Sequence, residues 1–200
     1  IVMTDKEGRI TRFLEKPSWG QVFSDTINTG IYILEPEALE FIPYQEEFDF
    51  SNDLFPLLLE KKLPLYGYIA DGYWRDVGNL NEYQKGQDDA IKGKINLTIK
   101  GTKTNNTYIE ENSKISSSAK LNGVNIIGNH TTISEHSDIT DSVIGSNVSI
   151  GIGTKLNGAI IWDNTTIGDF TEINDAVVCN HCSIGKSVTI SENVFIAEKC

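Results

Sequence analysis

Four short stretches carry the residue types that could do chemistry. FLEKP at 13–17 sets a carboxylate, Glu15, beside a cation, Lys16. INTGIYIL at 27–34 brings Asn28 and Thr29 up to Gly30, FDFSNDLFP at 48–56 mixes acids with aromatics, and YWRDVGN at 73–79 places Asp76 in an aromatic-rich run. Taken singly, each has an ordinary structural reading. A Glu-Lys pair next to Pro17 suits a solvated strand end. Asp76 can bond a neighbouring turn amide, and Tyr73 and Trp74 suit a sheet core. Three further candidates lie in the second half of the chain. Cys179-x-x-Cys182 with His181 offers zinc ligands but has no second ligand pair. His130, His136 and His181 are candidate bases for acyl transfer, although no loop interrupts the surrounding pattern to shape an acceptor pocket. GIGTK at 151–155 looks like a phosphate-cradling loop, but Gly151, Gly153 and Thr154 fall on corner and small-residue positions of a repeat, so that match is rejected.

The repeat dominates the second half. Aliphatic residues stand at 109, 115, 121, 127, 133, 139, 144, 150, 156, 161, 167, 173, 178, 184, 190 and 196, six apart except for three steps of five. From Ile127 onward the pattern therefore recurs every seventeen residues. Two residues before each aliphatic stands a mostly small side chain, such as Thr107, Ser113, Ala119, Asn125, Thr131 or Ser137. Strand side chains alternate between faces, so each such pair points the same way. One bulky and one small residue per side is what the inside of a narrow prism requires. The residue after the aliphatic is Gly128, Gly145, Gly151, Gly168 or Gly185 in five repeats, where a tight corner is expected to need positive φ. Residues 107–196 are thus predicted to form a parallel β-helix.

One face of that prism differs from the others. The outward residue before the aliphatic is Ile126, Val143, Ile160 or Val177 in one column, with Trp162 beside it; the other columns carry Thr, Ser, Lys, Asp and Glu. An apolar ladder on one face of three is expected to be a contact surface. Its partner is expected to be either the preceding domain or another subunit, as in a homo-oligomer.

The first ninety residues mix strands and helices, which implies an α/β sheet. IVMTD and ITRFLEK read as strands about the turn at Lys6–Gly8. NTGIYIL reads as a strand, followed by a short helix from Pro36. Ser51 is a candidate cap for a helix through NDLFPLLLEK, with Pro56 allowing only a late start or a kink. LYGYIA and GYWRDVG read as a hairpin about Asp71-Gly72, and a helix from about Leu80 to Ile91 leads into the repeats. The formal net charge of −11, without a Lys/Arg run, argues against nucleic-acid binding. No apolar run is long enough to span a bilayer, and the chain does not open on a secretion signal. Three cysteines in such a chain suggest a reduced, cytoplasmic setting. The chain opens in a strand-like run at Ile1 and keeps its repeat to Cys200, so truncation at both ends is expected.

FLEKP, INTGIYIL, FDFSNDLFP and YWRDVGN, in this order ahead of hexapeptide repeats, resemble the sugar-1-phosphate nucleotidyltransferases (NDP-sugar pyrophosphorylases), and best their mannose-1-phosphate guanylyltransferase-like members. The resemblance implies that residues 1–94 are the C-terminal, sugar-phosphate half of a Rossmann-like α/β nucleotidyltransferase domain. Residues 95–200 would be a left-handed parallel β-helix of about five coils; the handedness comes from the resemblance alone. The implied reaction is attack of a sugar 1-phosphate oxygen on the α-phosphorus of an NTP, with mannose 1-phosphate and GTP as first choice and pyrophosphate leaving. Mg²⁺ would offset the charge on the phosphates. Glu15 would bind sugar hydroxyls, Lys16 the sugar phosphate, and Asn28, Thr29 and Gly30 would line the sugar pocket. Asp76 would be one of two metal-binding aspartates, the hard oxygen ligand that Mg²⁺ prefers. The departure is the family's glycine-rich G-x-G-T-R-L loop, which cradles the triphosphate and is absent from these 200 residues together with the other metal aspartate. The chain is therefore expected to be inactive alone. Two other readings stand beside this one. The first is a non-catalytic regulatory or assembly subunit of the same architecture, as in certain translation-factor subunits. The second is a hexapeptide acyltransferase.

Overall fold

A computed structural model describes residues 1–13 and 26–200, which divide into two compact units, Ile1–Gly72 and Tyr73–Cys200.

In the first unit, β1 (Val2–Thr4) and β2 (Ile10–Phe13) pair antiparallel as expected. The intervening turn is fixed by Asp5, whose carboxylate accepts from the amides of Glu7 (3.0 Å) and Arg9 (2.9 Å). Residues 65–67 continue this ribbon, with the Ile10 amide donating to the Leu65 carbonyl (2.7 Å) and the Gly67 amide to that of Gly8 (2.9 Å). The expected hairpin about Asp71-Gly72 does not form: Tyr66 bridges Arg9 instead, and the chain crosses between units after Gly72. NTGIYIL runs extended but does not form a strand. Its alternation is real, since Tyr32 and Leu34 pack on the Leu54, Phe55 and Leu58 core while Ile31 and Ile33 face outward. What is lacking among the described residues is a neighbouring strand to complete the ladder.

The segment from Pro36 is a 3₁₀ helix, Pro36–Phe41. The next helix is capped by Asp49, not Ser51: the Asp49 carboxylate accepts from the amides of Ser51 (2.8 Å) and Asn52 (2.7 Å), and Asp53 accepts from the Asp49 amide (2.7 Å). This reciprocal cap starts a π-helical turn, Phe50–Leu54, which runs into α1 (Phe55–Glu60). Pro56 sits in the first turn of α1, where a missing N–H costs nothing. Of the two expectations for Pro56, the late start is the one realised.

The second unit starts with an irregular segment, 73–79, and α2 (Leu80–Ile91), capped by the Asn79 side chain accepting from the Glu82 amide (3.0 Å). After an antiparallel pair, β3 (Thr102–Thr104) and β4 (Thr107–Ile109), the chain winds into a parallel β-helix. Its three faces are one seven-stranded and two five-stranded sheets, in which each strand from β4 onward pairs in parallel with its equivalent one coil away, and β3 closes the edge of the seven-stranded sheet. The register stacks Ile127 on Ile144, Ile161 and Val178, and Ile133 on Ile150, Ile167 and Ile184. The inward aliphatics from Ile127 to Ile173 are at most 1% exposed. The small inward residues are as deeply buried, and their hydroxyls donate to corner carbonyls: Thr131 to Gly145 (2.8 Å), Thr154 to Gly168 (3.0 Å) and Thr171 to Gly185 (2.8 Å). Each hydroxyl thus satisfies a polar group that the stacked backbones would otherwise leave buried and unpaired.

The corner glycines need a different explanation from the expected one. Gly128, Gly145, Gly151, Gly168 and Gly185 do not have positive φ. The left-handed residues come two positions later: His130 (φ 55°), Asn147 (56°), Gly153 (63°), Phe170 (56°) and Ser187 (56°). At Gly128, Gly145, Gly151 and Gly168 what excludes a side chain is the next coil. A Cβ on Gly128 would lie 2.5 Å from the Gly145 carbonyl carbon, and one on Gly168 would lie 2.6 Å from that of Gly185.

Candidate functional site

The FLEKP residues Glu15 and Lys16 lie outside the described residues. Of the remaining candidates, Asn28, Thr29 and Gly30 belong to the first unit and Asp76 to the second.

Asn28 organises the turn it begins. Its amide nitrogen donates to the Tyr32 hydroxyl (2.6 Å) and the Ser51 hydroxyl (3.3 Å), while its oxygen accepts from the Gly30 amide (3.1 Å). Both Nδ2 donors are thereby engaged, and what remains for a ligand is a second lone pair on Oδ1. Thr29 and Gly30 are exposed. Gly30 has φ of 76°, a conformation costly for any residue with a Cβ, and none of the described residues comes within 4 Å of where that Cβ would be. The glycine is required by the turn. Ser51 and Asp49, which tie this turn to the helix start, were not singled out as site residues, although FDFSNDLFP contains both.

Asp76 is exposed, in a stretch without regular secondary structure. Among the described residues no group hydrogen-bonds its carboxylate, so the turn-amide role that its neighbourhood suggested is not realised. A Cβ added at Gly78, two residues on, would lie against this carboxylate, 3.6 Å from Oδ1. Tyr73 and Trp74 are not sheet core either, being 40% and 45% exposed. Tyr73 instead donates its hydroxyl hydrogen to Asp89 Oδ2 (2.9 Å) and accepts from Arg75 Nε (2.8 Å). Arg75 also binds Asp89 Oδ2 through Nη2 (2.8 Å) and pairs with Glu82 through Nη1. Lys94 closes the group on Asp89 Oδ1 (2.6 Å). The Lys94 ammonium first, with the Tyr73 hydroxyl and the Arg75 guanidinium, holds the Asp89 carboxyl well below the usual range.

A single exposed carboxylate is compatible with Mg²⁺, which keeps several waters and takes ligands from substrate phosphates. No group of three or more His, Cys, Asp or Glu among the described residues makes a metal site unaided. This includes Cys179 and Cys182, which are buried, with burial pushing the Cys179 thiol up, while His181 points out from a corner at φ 59°. His130 and His136 occupy equivalent exposed left-handed corners. Gly151 and Gly153 are likewise corner residues, and Thr154 is buried.

On the apolar face, Ile160 and Val177 are 5% and 0% exposed, and Ile126 and Val143 are half-buried. Helix α2 of the same unit lies against this face. Trp162 Nε1 donates to the Tyr83 hydroxyl (3.2 Å), the two rings meet edge-on at 6.4 Å, and Gln84 donates to the Asp175 carbonyl (2.7 Å). Val143 and Ile160 line a cleft with Gln84, Gln87 and Ile91 of the helix.

Two family models match the chain, the first of them running past Gly72 into the second unit. Residues 1–93 match the family model for nucleotidyl transferases, and residues 104–200 match that of the EIF2B subunit epsilon LbH domain, a left-handed β-helix. A UTP–glucose-1-phosphate uridylyltransferase of Synechocystis is 42% identical over 50% of this chain and 25% of its own length. A mannose-1-phosphate guanylyltransferase of Mycobacterium tuberculosis is 28% identical over 71% of this chain and 39% of its own. A putative mannose-1-phosphate guanyltransferase of Sulfolobus acidocaldarius is 31% identical over 72% and 36%. The chain therefore spans between a quarter and two-fifths of the length of these relatives.

Proposed function

We propose that the protein joins a sugar 1-phosphate to a nucleoside monophosphate drawn from an NTP, releasing pyrophosphate, because residues 1–93 match the nucleotidyl transferase family model and residues 104–200 a left-handed β-helix model. Mannose 1-phosphate and GTP are the first pair. The supporting observation is that the two guanylyltransferase relatives align over 71% and 72% of this chain, whereas the glucose-1-phosphate uridylyltransferase aligns over 50%. Glucose 1-phosphate with UTP is the second pair.

In this reading Lys16 holds the sugar phosphate, Glu15 accepts hydrogen bonds from sugar hydroxyls, and the exposed Asn28–Gly30 turn lines the sugar pocket. Asp76 would be this chain's ligand to Mg²⁺. When bound, the ion supplies positive charge against the phosphate oxygens and helps orient them. The 200 residues contain no G-x-G-T-R-L loop, so they are proposed to supply the sugar side of the reaction and to be inactive by themselves. The setting is proposed to be cytoplasmic. No helix among the described residues is long and apolar enough to cross a membrane.

The test is pyrophosphate release by the full-length protein across a panel of sugar 1-phosphates and NTPs. The highest kcat/KM is expected for mannose 1-phosphate with GTP; a higher value for glucose 1-phosphate with UTP would overturn that assignment. The EIF2B-type β-helix match favours one second reading, a non-catalytic assembly subunit. Absence of turnover with every pair would select it.

A further inference from the structure

We propose that Arg75, held by Tyr73, Glu82 and Asp89, is a positioning residue that fixes Asp76 for its role at the phosphates. The inference rests on the reading of Asp76 given above. Residues 73–79 have no secondary structure of their own to hold them. They are instead tied to α2 at three points: Tyr73 to Asp89, Arg75 to Glu82 and Asp89, and Asn79 to the Glu82 amide. Asp76 lies between the second and third ties. Tyr73 and Arg75 both turn their side chains to the helix, while Asp76 is exposed and its carboxylate makes no hydrogen bond among the described residues.

The chemistry of the clamp requires arginine. Nε, Nη1 and Nη2 each donate to a different oxygen, on Tyr73, Glu82 and Asp89. A planar guanidinium meets three acceptors in fixed directions, whereas a lysine ammonium on a flexible stem is a point charge. Asp89 is the anchor: it is 6% exposed and takes donors from Tyr73, Arg75 and Lys94. Because α2 also bonds to the β-helix through Tyr83–Trp162 and Gln84–Asp175, the clamp ties the Asp76 segment through α2 to the β-helix.

The experiment uses the full-length protein with Arg75→Lys, Asp89→Asn and, as control, Asp76→Asn. For Arg75→Lys, the Mg²⁺ concentration giving half-maximal rate is expected to rise about tenfold or more, the size typical of lost outer-shell support, with the NTP KM little changed. Hydrogen exchange is expected to quicken at residues 76–78 while the β-helix amides stay protected. A purely structural role would lower the active fraction and leave the Mg²⁺ dependence unmoved, and that result would overturn the inference. If Asp89→Asn fails to fold, Arg75→Lys alone decides it. If Asp76→Asn itself leaves rate and Mg²⁺ dependence unchanged, the assignment of Asp76 falls and takes the inference with it. If Asp76→Asn inactivates while Arg75→Lys behaves as wild type, only the positioning role falls.

Discussion

At the residue scale, the corner glycines separate two reasons for a small residue that look identical in a sequence. Glycine after an aliphatic was legible as a corner, but its backbone is not left-handed; the stacked coil is what excludes a Cβ. That distinction needs coordinates, because it depends on a residue seventeen positions away. It also predicts a contrast. Gly168→Ala puts a Cβ 2.6 Å from backbone, whereas at Gly185 the nearest atom is a Val188 methyl at 3.9 Å. Thermal melting should show a cost of about 1–3 kcal/mol for Gly168→Ala and little change for Gly185→Ala; equal effects would contradict the stacking argument. Asp89 supplies a pH prediction. Its folded pKa is depressed, chiefly by Lys94, so its stabilisation is present above the unfolded value, about 3.9, and is lost as pH falls below it. The melting temperature of Asp89→Asn should lie below wild type by a constant margin near neutrality, and the margin should narrow below about pH 4. The clamp itself was hidden in sequence, since YWRDVGN directed attention to Asp76 and not to the arginine beside it.

At the element scale, the β-helix was legible because its signal, the repeated aliphatics, is periodic and local; α2 runs over Leu80–Ile91 as expected, with Asn79 found as its cap. NTGIYIL misled for the opposite reason, and LYGYIA paired in part with the β1–β2 ribbon instead of with GYWRDVG. A strand is made by its neighbour, and the pattern of one segment does not say whether a neighbour is there. The apolar ladder lies between these cases. The sequence marked Ile126, Val143, Ile160 and Val177 as a contact face, and α2 lies against part of it. Ile160 is 5% exposed, so Ile160→Lys should cost on the order of 2–5 kcal/mol through lost burial alone, measured by denaturant unfolding. Val143→Lys, at a half-buried position, should cost less. Sedimentation of the same variants reports whether the face also joins two copies; unchanged stability together with unchanged association would remove any contact role from it.

At the scale of the whole molecule, the matched family models and the architecture were readable from four short motifs and a repeat, while the placement of the candidate site residues was not, because it depends on turns whose geometry comes from side chains far along the chain. Asn28 is held partly by Ser51, and Arg75 by Asp89. The chain covers a quarter to two-fifths of the relatives described above and has no glycine-rich triphosphate loop. The 200 residues alone should therefore release no pyrophosphate under conditions in which the full-length protein does. The most direct test of the account is steady-state pyrophosphate release by full-length wild type and Asp76→Asn, on proteins shown to melt at the same temperature. The account predicts turnover by the wild type and a loss of roughly a hundredfold or more in kcat for the variant, the scale of a metal contribution of several kcal/mol. A variant as fast as wild type would contradict it.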